Sequence, residues 1–239
     1  GYDMQVITAP DGYNCNNITN GSQTSGVTAN QTVTVTCTQV YFSLYSFKKQ
    51  PDGDNPNAGL ILASDGFFYG TTGGGGKFNK GTIFRVDSNG NEDVVYSFGA
   101  YNGDGHDPQS FLTQAKDGNL YGTTFSGGTG SFGTIFKFNP QTKAESSLYS
   151  FNFNPDGAQP VGTLLEDNGY LYGTTTSGGA VANAGIIFRI NYSTGLFEVI
   201  HTFGGAPDGN SPISGLIKAT DGNFYGVTWM GGAYSNGAI

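Results

Sequence analysis

A repeat with a period of 52 residues runs through most of this chain and limits what it can fold into. The string Gly-Thr-Ile-Phe begins at Gly81 and Gly133, returns as Gly-Ile-Ile-Phe at Gly185, and starts again as Gly-Ala-Ile at Gly237. One proline and one aspartate per unit keep the same period, at Pro56, Pro108, Pro160 and Pro212 and at Asp52, Asp104, Asp156 and Asp208. Because independent landmarks recur in step, the chain consists of equivalent units that pack on their neighbours.

Each unit contains four short runs of strand-forming residues separated by turn signals. In the second unit the predicted strands are 94–98, 111–114, 120–124 and 134–138. An Asp-Gly pair between two apolar runs marks a hairpin, since glycine accepts the positive φ that the turn needs. The composition favours an all-β fold, because glycine occurs 40 times and aromatic residues (14%) outnumber charged ones (12%). Four antiparallel strands in about 50 residues are typical of a propeller blade.

The repeat therefore predicts that residues 41–239 form a β-propeller of four blades, each a four-stranded sheet. A single sheet cannot cover both of its apolar faces, so each sheet packs on the next, and a ring of sheets leaves only short edges. The fourth unit reaches only Ile239, where earlier units continue as Phe-Arg-Val or Phe-Lys-Phe. We expect its last strand to be completed by a strand from residues 32–42, or alternatively by a neighbouring molecule.

Residues 1–40 precede the propeller and predict a short, strand-rich extension. They contain both cysteines of the chain, Cys15 and Cys37. An even number of cysteines favours a disulfide and an oxidising compartment, although two unpaired thiols would also fit as small core residues. We predict a disulfide between Cys15 and Cys37.

The charge of the chain argues against two classes of partner. Its net charge is −8, from 18 acidic and 10 basic residues. A surface of this sign repels nucleic acid and anionic lipid headgroups. No apolar run in the sequence approaches the ~20 residues that span a bilayer. We therefore expect neither nucleic-acid binding nor membrane insertion.

The combined motifs resemble a known bacterial family. Gly-Thr-Ile-Phe, Tyr-Ser-Phe, Asp-Gly-x-x-Pro, Asp-Gly-Asn-Leu-Tyr-Gly-Thr-Thr and Gly-Gly, which recur from Tyr45 to Ile239, resemble the tandem repeat called GloVer. The first 40 residues resemble the end of a bacterial Ig-like surface module. The resemblance implies export and attachment to the cell surface, and it implies no shared catalytic activity. The chain departs from the family in carrying no anchor signal, and both ends fall inside motifs, so we expect a piece of a longer product.

Repeated acids form a candidate metal site. Every unit carries an aspartate in the same loop, and the loops of the first two units each add a second acid. A hard cation such as Ca²⁺ takes roughly six to eight oxygen ligands. The four acids of these loops, Asp52, Asp54, Asp104 and Asp107, are therefore a candidate Ca²⁺ site. The alternative is that the Asp-Gly pairs only form turns. No other cofactor is expected.

The loops that follow the Gly-Gly pairs differ between units, whereas the framework stays constant. Loops on a rigid scaffold are where binding normally occurs. Phe78, Phe132 and Tyr234, with Trp229 nearby, are predicted to place aromatic groups on one face. Such a face favours contact with a glycan or another surface protein. The alternative is that these loops are solvated and have no binding role.

The sequence shows no catalytic constellation. It has two histidines, His106 and His201, and His201 occupies the tyrosine position of a Tyr-Ser-Phe strand. Neither a Gly-x-Ser-x-Gly elbow nor a zinc-type cluster appears. Glycoside cleavage by two carboxylates that are distant in sequence is the one reaction class left open. We predict that the chain is not an enzyme.

These observations predict a structural protein, extracellular or on the cell surface, that associates with copies of itself. Strand addition between copies would produce a filament or a surface layer. The alternative function is adhesion by a glycan- or protein-binding module that uses the variable Gly-Gly loops.

Overall fold

The computed structural model describes residues 43–204 and 206–239, together with the backbones of two strands at 13–19 and 34–39. These described residues form strands and turns, and none of them belongs to a helix long and apolar enough to cross a membrane. The chain divides into two compact units, Gly1–Leu44 and Tyr45–Ile239. The all-β class predicted from the sequence is confirmed.

The first unit contains an antiparallel pair of strands, β1 (Tyr13–Thr19) and β2 (Thr34–Gln39). Their register shifts at a β-bulge that includes Cys15, and Cys37 lies on the facing strand. The disulfide between these cysteines stays a prediction. The strand expected within residues 32–42 is present as β2 and pairs with β1, while its role in completing the fourth repeat stays a prediction.

The first repeat forms a four-stranded antiparallel sheet. Its strands, in chain order, are β3 (Gly53–Asp54), β4 (Ile61–Leu62), β5 (Phe68–Thr72), β6 (Gly74–Gly75), β7 (Thr82–Val86) and β8 (Glu92–Ser97). The sheet order is β4-β5-β7-β8, and the short strands β3 and β6 pair with each other. β5 and β7 are buried at nearly every position, as expected for strands covered on both faces.

The second and third repeats form sheets of the same order. Their strands are β9 (Gly105–Pro108), β10 (Thr113–Gln114), β11 (Leu120–Gly127), β12 (Thr134–Asn139), β13 (Ala144–Ser150), β14 (Leu165–Asp167), β15 (Tyr170–Thr175), β16 (Ile186–Asn191) and β17 (Phe197–Thr202). The second sheet is β10-β11-β12-β13, with β9 also paired to β11, and the third is β14-β15-β16-β17.

The fourth repeat is less complete. Its strands are β18 (Gly209–Pro212), β19 (Ile217–Lys218), β20 (Phe224–Tyr225) and β21 (Thr228–Gly231). β18 pairs with β21, β19 pairs with β20, and an isolated bridge joins Thr228 to Ala238. Sheets with four consecutive paired strands are therefore observed for three repeats, and a closed ring of four blades stays a prediction.

The grouping of strands expected from the sequence is wrong in one respect. The run 94–98, assigned to the second unit, belongs to the first sheet as β8, and β13 completes the second sheet. A tight turn joins β7 to β8, with the Gly90 N–H group donating to the carbonyl oxygen of Asp87. Consecutive strands joined by a short turn pair with each other, so the chain crosses to the next sheet only after β8.

Two buried cores join consecutive sheets. The ring of Tyr69 in the first sheet lies 6.2 Å from that of Phe138 in the second, and the ring of Tyr121 in the second lies 5.6 Å from that of Tyr192, directly after β16 of the third. Tyr69 and Tyr121 are both completely buried. Tyr69 and Tyr121 are therefore core residues, because each packs on the next sheet.

A glycine and a proline meet wherever consecutive sheets join. Gly133 has a φ of 101°, and a Cβ atom there would lie 2.4 Å from the Thr124 carbonyl oxygen and 2.8 Å from Pro160 Cδ. Beside this contact, the Gln159 N–H group donates to the Phe132 carbonyl oxygen at 2.9 Å. The equivalent pairs are Gly81 with Pro108 and Gly185 with Pro212. Each residue of the pair constrains the other, which explains their common period.

Candidate functional site

In each repeat, the carboxylate of one aspartate links a loop to the outer strand before it by hydrogen bonds. Asp104 is buried, and its Oδ2 accepts hydrogen bonds from Tyr96 Oη at 2.7 Å and from the N–H groups of Gly99 and Ala100. Its Oδ1 accepts from the Gly105 N–H group at 2.7 Å. We call the four equivalent residues the loop aspartates: Asp52, Asp104, Asp156 and Asp208.

The later loop aspartates keep this arrangement. Tyr149 Oη donates to Asp156 at 2.6 Å, and His201 Nε2 lies 2.9 Å from Asp208 in the place of the tyrosine. His201 is therefore structural, as its sequence position predicts. Although burial raises the pKa of Asp208, hydrogen bonds from the Gly209 N–H group and from His201 outweigh burial and lower that pKa.

These contacts bear on the candidate calcium site. Oδ2 of Asp52 accepts from Tyr45 Oη at 2.8 Å, so a donated hydrogen occupies a lone pair that a cation would need. In the part of the chain that the structure describes, no group of three or more His, Cys, Asp or Glu side chains is arranged to hold a metal ion. The contacts support turn formation by the Asp-Gly pairs. A Ca²⁺ site at Asp52, Asp54, Asp104 and Asp107 stays an untested prediction.

A partly buried acid that no motif marks lies beside Asp104. Tyr101 Oη donates to Oε2 of Glu145 at 3.1 Å, whereas the buried Oε1 has no hydrogen-bond partner among the described residues. Burial, with the charge of Asp104, raises the pKa of Glu145 to about 7. Glu145 lies on β13, whose sequence is mainly polar, so nothing in the sequence distinguishes it from a solvated acid.

The aromatic side chains expected to form a binding face are all exposed. Their exposed fractions are 39% for Phe78, 36% for Phe132, 66% for Trp229 and 89% for Tyr234. The Phe132 ring packs at 5.1 Å on Phe153 of the next loop. Among the described ring contacts, none joins two of the four predicted residues, so their assembly into one surface stays a prediction.

The fourth repeat exposes positions that the first two repeats bury. Tyr225 is 42% exposed, whereas the equivalent Tyr69 and Tyr121 are 0% exposed. Val227 is 43% exposed, whereas the equivalent Thr123 is 0% exposed. A groove of about 620 Å³ runs along these residues. We call it the apolar groove, defined by Phe203, Leu216, Tyr225, Gly226, Val227 and Ile239.

In the first three sheets a phenylalanine ring lies over the glycine that corresponds to Gly226. A Cβ atom on Gly122 would lie 2.6 Å from Phe136 Cζ, so only glycine leaves room for the ring. The same close approach joins Gly70 to Phe84 and Gly173 to Phe188. At Gly226 the nearest side-chain atom to such a Cβ is Cδ2 of Leu216, at 2.7 Å. The apolar groove therefore has the shape that accepts a phenylalanine-bearing strand.

A second cavity, of about 500 Å³, opens between the loops of the first two repeats. We call it the polar cleft, defined by Asn57, Gly73, Lys80, His106, Asp107 and Gln109. Burial and the charge of Lys80 lower the pKa of His106, so its imidazole is uncharged at neutral pH. None of the sequence motifs predicts this cleft. The signal for it is Gly73, which follows Tyr-Gly-Thr-Thr where the other repeats have larger residues.

Sheets of one order, joined in tandem by the same glycine–proline contact, define an all-β repeat protein. The family model of the Gloeobacter/Verrucomicrobia repeat matches residues 4–239. The chain belongs to this repeat family, and the GloVer resemblance is confirmed. The match begins within the first 40 residues, whose likeness to an Ig-like module stays a prediction.

The chain is similar to solved structures at low sequence identity. The extracellular domain of the hybrid two-component system protein BT3049 from B. thetaiotaomicron matches with a TM-score of 0.50 and 16% identity, over 76% of this chain and 21% of that one. A gluconolactonase from Xanthomonas campestris matches with a TM-score of 0.48 and 15% identity, over 76% of this chain and 60% of that one. This chain thus spans about a fifth of the first structure's length. No curated protein matches the chain. At such identities the likeness concerns the fold alone.

Proposed function

We propose that this chain is a non-enzymatic structural protein of the extracellular space or cell surface that associates with copies of itself. Membership of the repeat family supports this proposal, because the GloVer resemblance implies export and no shared catalytic activity. The extracellular location of the similar B. thetaiotaomicron domain agrees with it. His201 also has a structural role, since it holds a loop aspartate.

The observation that carries the proposal is the apolar groove. Tyr225 and Val227 are exposed at positions that a following sheet covers in the first two repeats. Burying apolar surface contributes about 25 cal/mol per Å², and an added strand also satisfies backbone groups at a sheet edge. A strand with the sequence pattern of β12 fits, because Phe136 occupies the corresponding place over Gly122. We assign this strand to a second copy of the chain.

The test measures assembly of the full chain and of groove variants. We expect wild type to form larger particles as its concentration rises, seen by light scattering and negative-stain microscopy. Tyr225→Lys places a charge in the groove and should leave single particles. Val181→Lys, at a position that is 53% exposed in another loop, is the matched control and should assemble normally.

A competition experiment with a peptide identifies the contact between the copies. A peptide of residues 133–139, which carries the β12 pattern, should compete with assembly, and the same peptide with Phe136→Ala should not. Wild type that stays a single particle at every concentration refutes self-association. Equal assembly of Tyr225→Lys and wild type refutes the role of the groove.

The exposure of the loop aromatic residues favours adhesion as a second candidate function. Trp229 and Tyr234 are 66% and 89% exposed, and large exposed aromatic groups are typical of glycan and protein contacts. A glycan-array screen of wild type, Trp229→Ala and Tyr234→Ala tests this function. A signal that both variants lose supports adhesion, whereas a scaffold gives no signal that depends on these loops.

A further inference from the structure

The polar cleft is open because one position in the first repeat is glycine. A Cβ atom on Gly73 would lie 2.6 Å from Asp107 Oδ1 and 3.1 Å from Asn57 Nδ2. The backbone of Gly73 is not in the left-handed region, so this glycine provides space and not conformational freedom. The equivalent residues in the other repeats all carry side chains: Phe125, Thr176 and Trp229.

Polar groups with unused hydrogen-bonding capacity converge on this space. Within the described residues, no protein hydrogen bond involves Lys80 Nζ, the His106 ring or the side-chain amide of Asn57. Asp107 Oδ2 accepts from Gln109 Nε2 at 2.9 Å, and Oδ1 lies above Gly73. The cleft therefore offers donors and acceptors together, and the opposite charges of Lys80 and Asp107 balance each other.

Backbone contacts fix the walls of the cleft. The Asp107 N–H group donates to the Lys80 carbonyl oxygen at 2.9 Å, which joins the second repeat to the first. The Gly73 N–H group donates to the Asn55 carbonyl oxygen at 2.9 Å. A site whose walls are held before the ligand arrives loses little entropy on binding.

The polar lining is not a requirement of the repeat. At the corresponding place between the second and third repeats, Phe132 replaces Lys80 and Ala158 replaces His106. The backbone has the same arrangement at both junctions, because each contains the hydrogen bond that joins consecutive repeats. The polar side chains therefore belong to this cleft and not to the architecture.

We propose that the polar cleft binds a neutral sugar residue of a glycan. Sugar hydroxyl groups both donate and accept, which matches the amides of Asn57 and Gln109, the carboxylate of Asp107 and the ammonium group of Lys80. The volume of about 500 Å³ lies within the range of roughly 300–1,000 Å³ that is usual for small-ligand sites. A neutral ligand also suits a chain with a net charge of −8. This site is independent of the self-association proposed above.

The test is a titration of the full chain with a panel of sugars, followed by NMR of the backbone amides. The panel contains glucose, galactose and mannose, the disaccharides of each, and glucuronate as an acidic sugar. We expect saturable shifts of the Gly73 and Asp107 amides with at least one neutral sugar. Gly73→Ala should weaken binding by about tenfold or more, because its methyl group enters the space beside Asp107.

The variants are chosen so that misfolding cannot imitate loss of binding. The other repeats accept larger side chains at the position of Gly73, so Gly73→Ala should fold, and its amide spectrum checks this. Thr176→Ala, at the same position in the third repeat, is the matched control and should bind as wild type does. Lys80→Ala should weaken binding while keeping the spectrum of the fold.

Three outcomes overturn the proposal. They are the absence of saturable binding by any neutral sugar, unchanged affinity of folded Gly73→Ala, and binding of glucuronate alone.

Discussion

Tyr96 and Asp104 show why single polar residues recur with the period of the sheets. The carboxylate of Asp104 accepts from the Tyr96 hydroxyl and from backbone N–H groups on both sides of the loop. The loop cannot satisfy these groups by itself, since it leaves one sheet and enters the next. The same aspartate is therefore required once per repeat, and its partner on the outer strand is required with it.

Replacing a loop aspartate should cost stability in proportion to its burial. Asp104→Ala leaves several buried or partly buried donors without an acceptor, and we expect a loss of about 3 kcal/mol in the free energy of unfolding. Asp208→Ala, where the aspartate is more exposed and pairs with His201, should lose clearly less. Urea denaturation of both variants measures the difference. Equal losses would contradict the role of burial.

Glu145 should make the chain less stable as pH rises. Its pKa of about 7 in the folded chain exceeds the ordinary value of 4.5, so folding favours the protonated carboxyl. This contribution is fully present below the unfolded pKa and is lost as pH rises through the folded pKa. Between about pH 5 and about pH 8 we expect wild type to lose about 2–3 kcal/mol from this group.

Glu145→Gln isolates this effect. The variant should lack that part of the fall in the free energy of unfolding, measured with urea at both pH values. Glu198→Gln, which removes an acid paired with Arg189, should keep it. If wild type and Glu145→Gln showed the same pH dependence, the burial of the Glu145 carboxyl would have no energetic consequence.

At the scale of the strands, the repeats preserve the glycine–proline contact between consecutive sheets. Gly133 and Pro160 approach each other where β12 begins and the next loop ends. Gly133→Ala should destabilise the chain by about 3 kcal/mol or more, because it combines a positive φ with a clash against backbone.

Gly118 provides the matched control for this prediction. It also has a positive φ, 80°, but a Cβ atom there would meet nothing within 4 Å. Gly118→Ala should therefore cost only about 1 kcal/mol, from φ alone. Thermal and urea unfolding of both variants give the two values. Similar losses would show that the close contacts with the Thr124 carbonyl oxygen and Pro160 add nothing.

The sequence predicts these strands well and their grouping less well. The expected strand 120–124 is β11, and 134–138 is β12, because hydrophobic alternation and Asp-Gly turns act locally. The expected run 94–98 is a strand, but it joins the preceding sheet. A tandem repeat can be divided into units at any point of its period, so the period does not show at which residue one sheet ends and the next begins.

The candidate sites were harder to predict for a related reason. Periodicity reveals what the repeats share, whereas the polar cleft depends on what differs between them. Gly73 stands in a run of four glycines, 73–76, and looks like part of a turn. Lys80 and Asp107 are far apart in the sequence and meet only because the backbone of one repeat bonds to the next. The cleft can therefore be recognised only from the relative positions of these loops in the fold.

At the scale of the whole chain, the sheets differ in how completely they are supported. The third sheet has four strands, the second has four with β9 as a fifth, and a buried core lies between these two sheets. The fourth repeat has two-stranded sheets, and its exposed side chains include Ile217 and Tyr225. Repeat proteins gain much of their stability from contacts between neighbours. Opening of the fourth repeat should therefore cost less free energy than opening of the others.

Hydrogen exchange should reveal this difference and connect it with assembly. At low concentration we expect the amides of β20 and β21 to exchange fastest and those of β12 and β16 slowest. If a second copy covers the apolar groove, protection of β20 and β21 should rise with concentration, because binding adds to the free energy of opening. Tyr225→Lys should abolish that rise without changing exchange in β12. Uniform protection across the four repeats, or a rise that persists in Tyr225→Lys, would show that the exposed face of the fourth repeat is not where the copies meet.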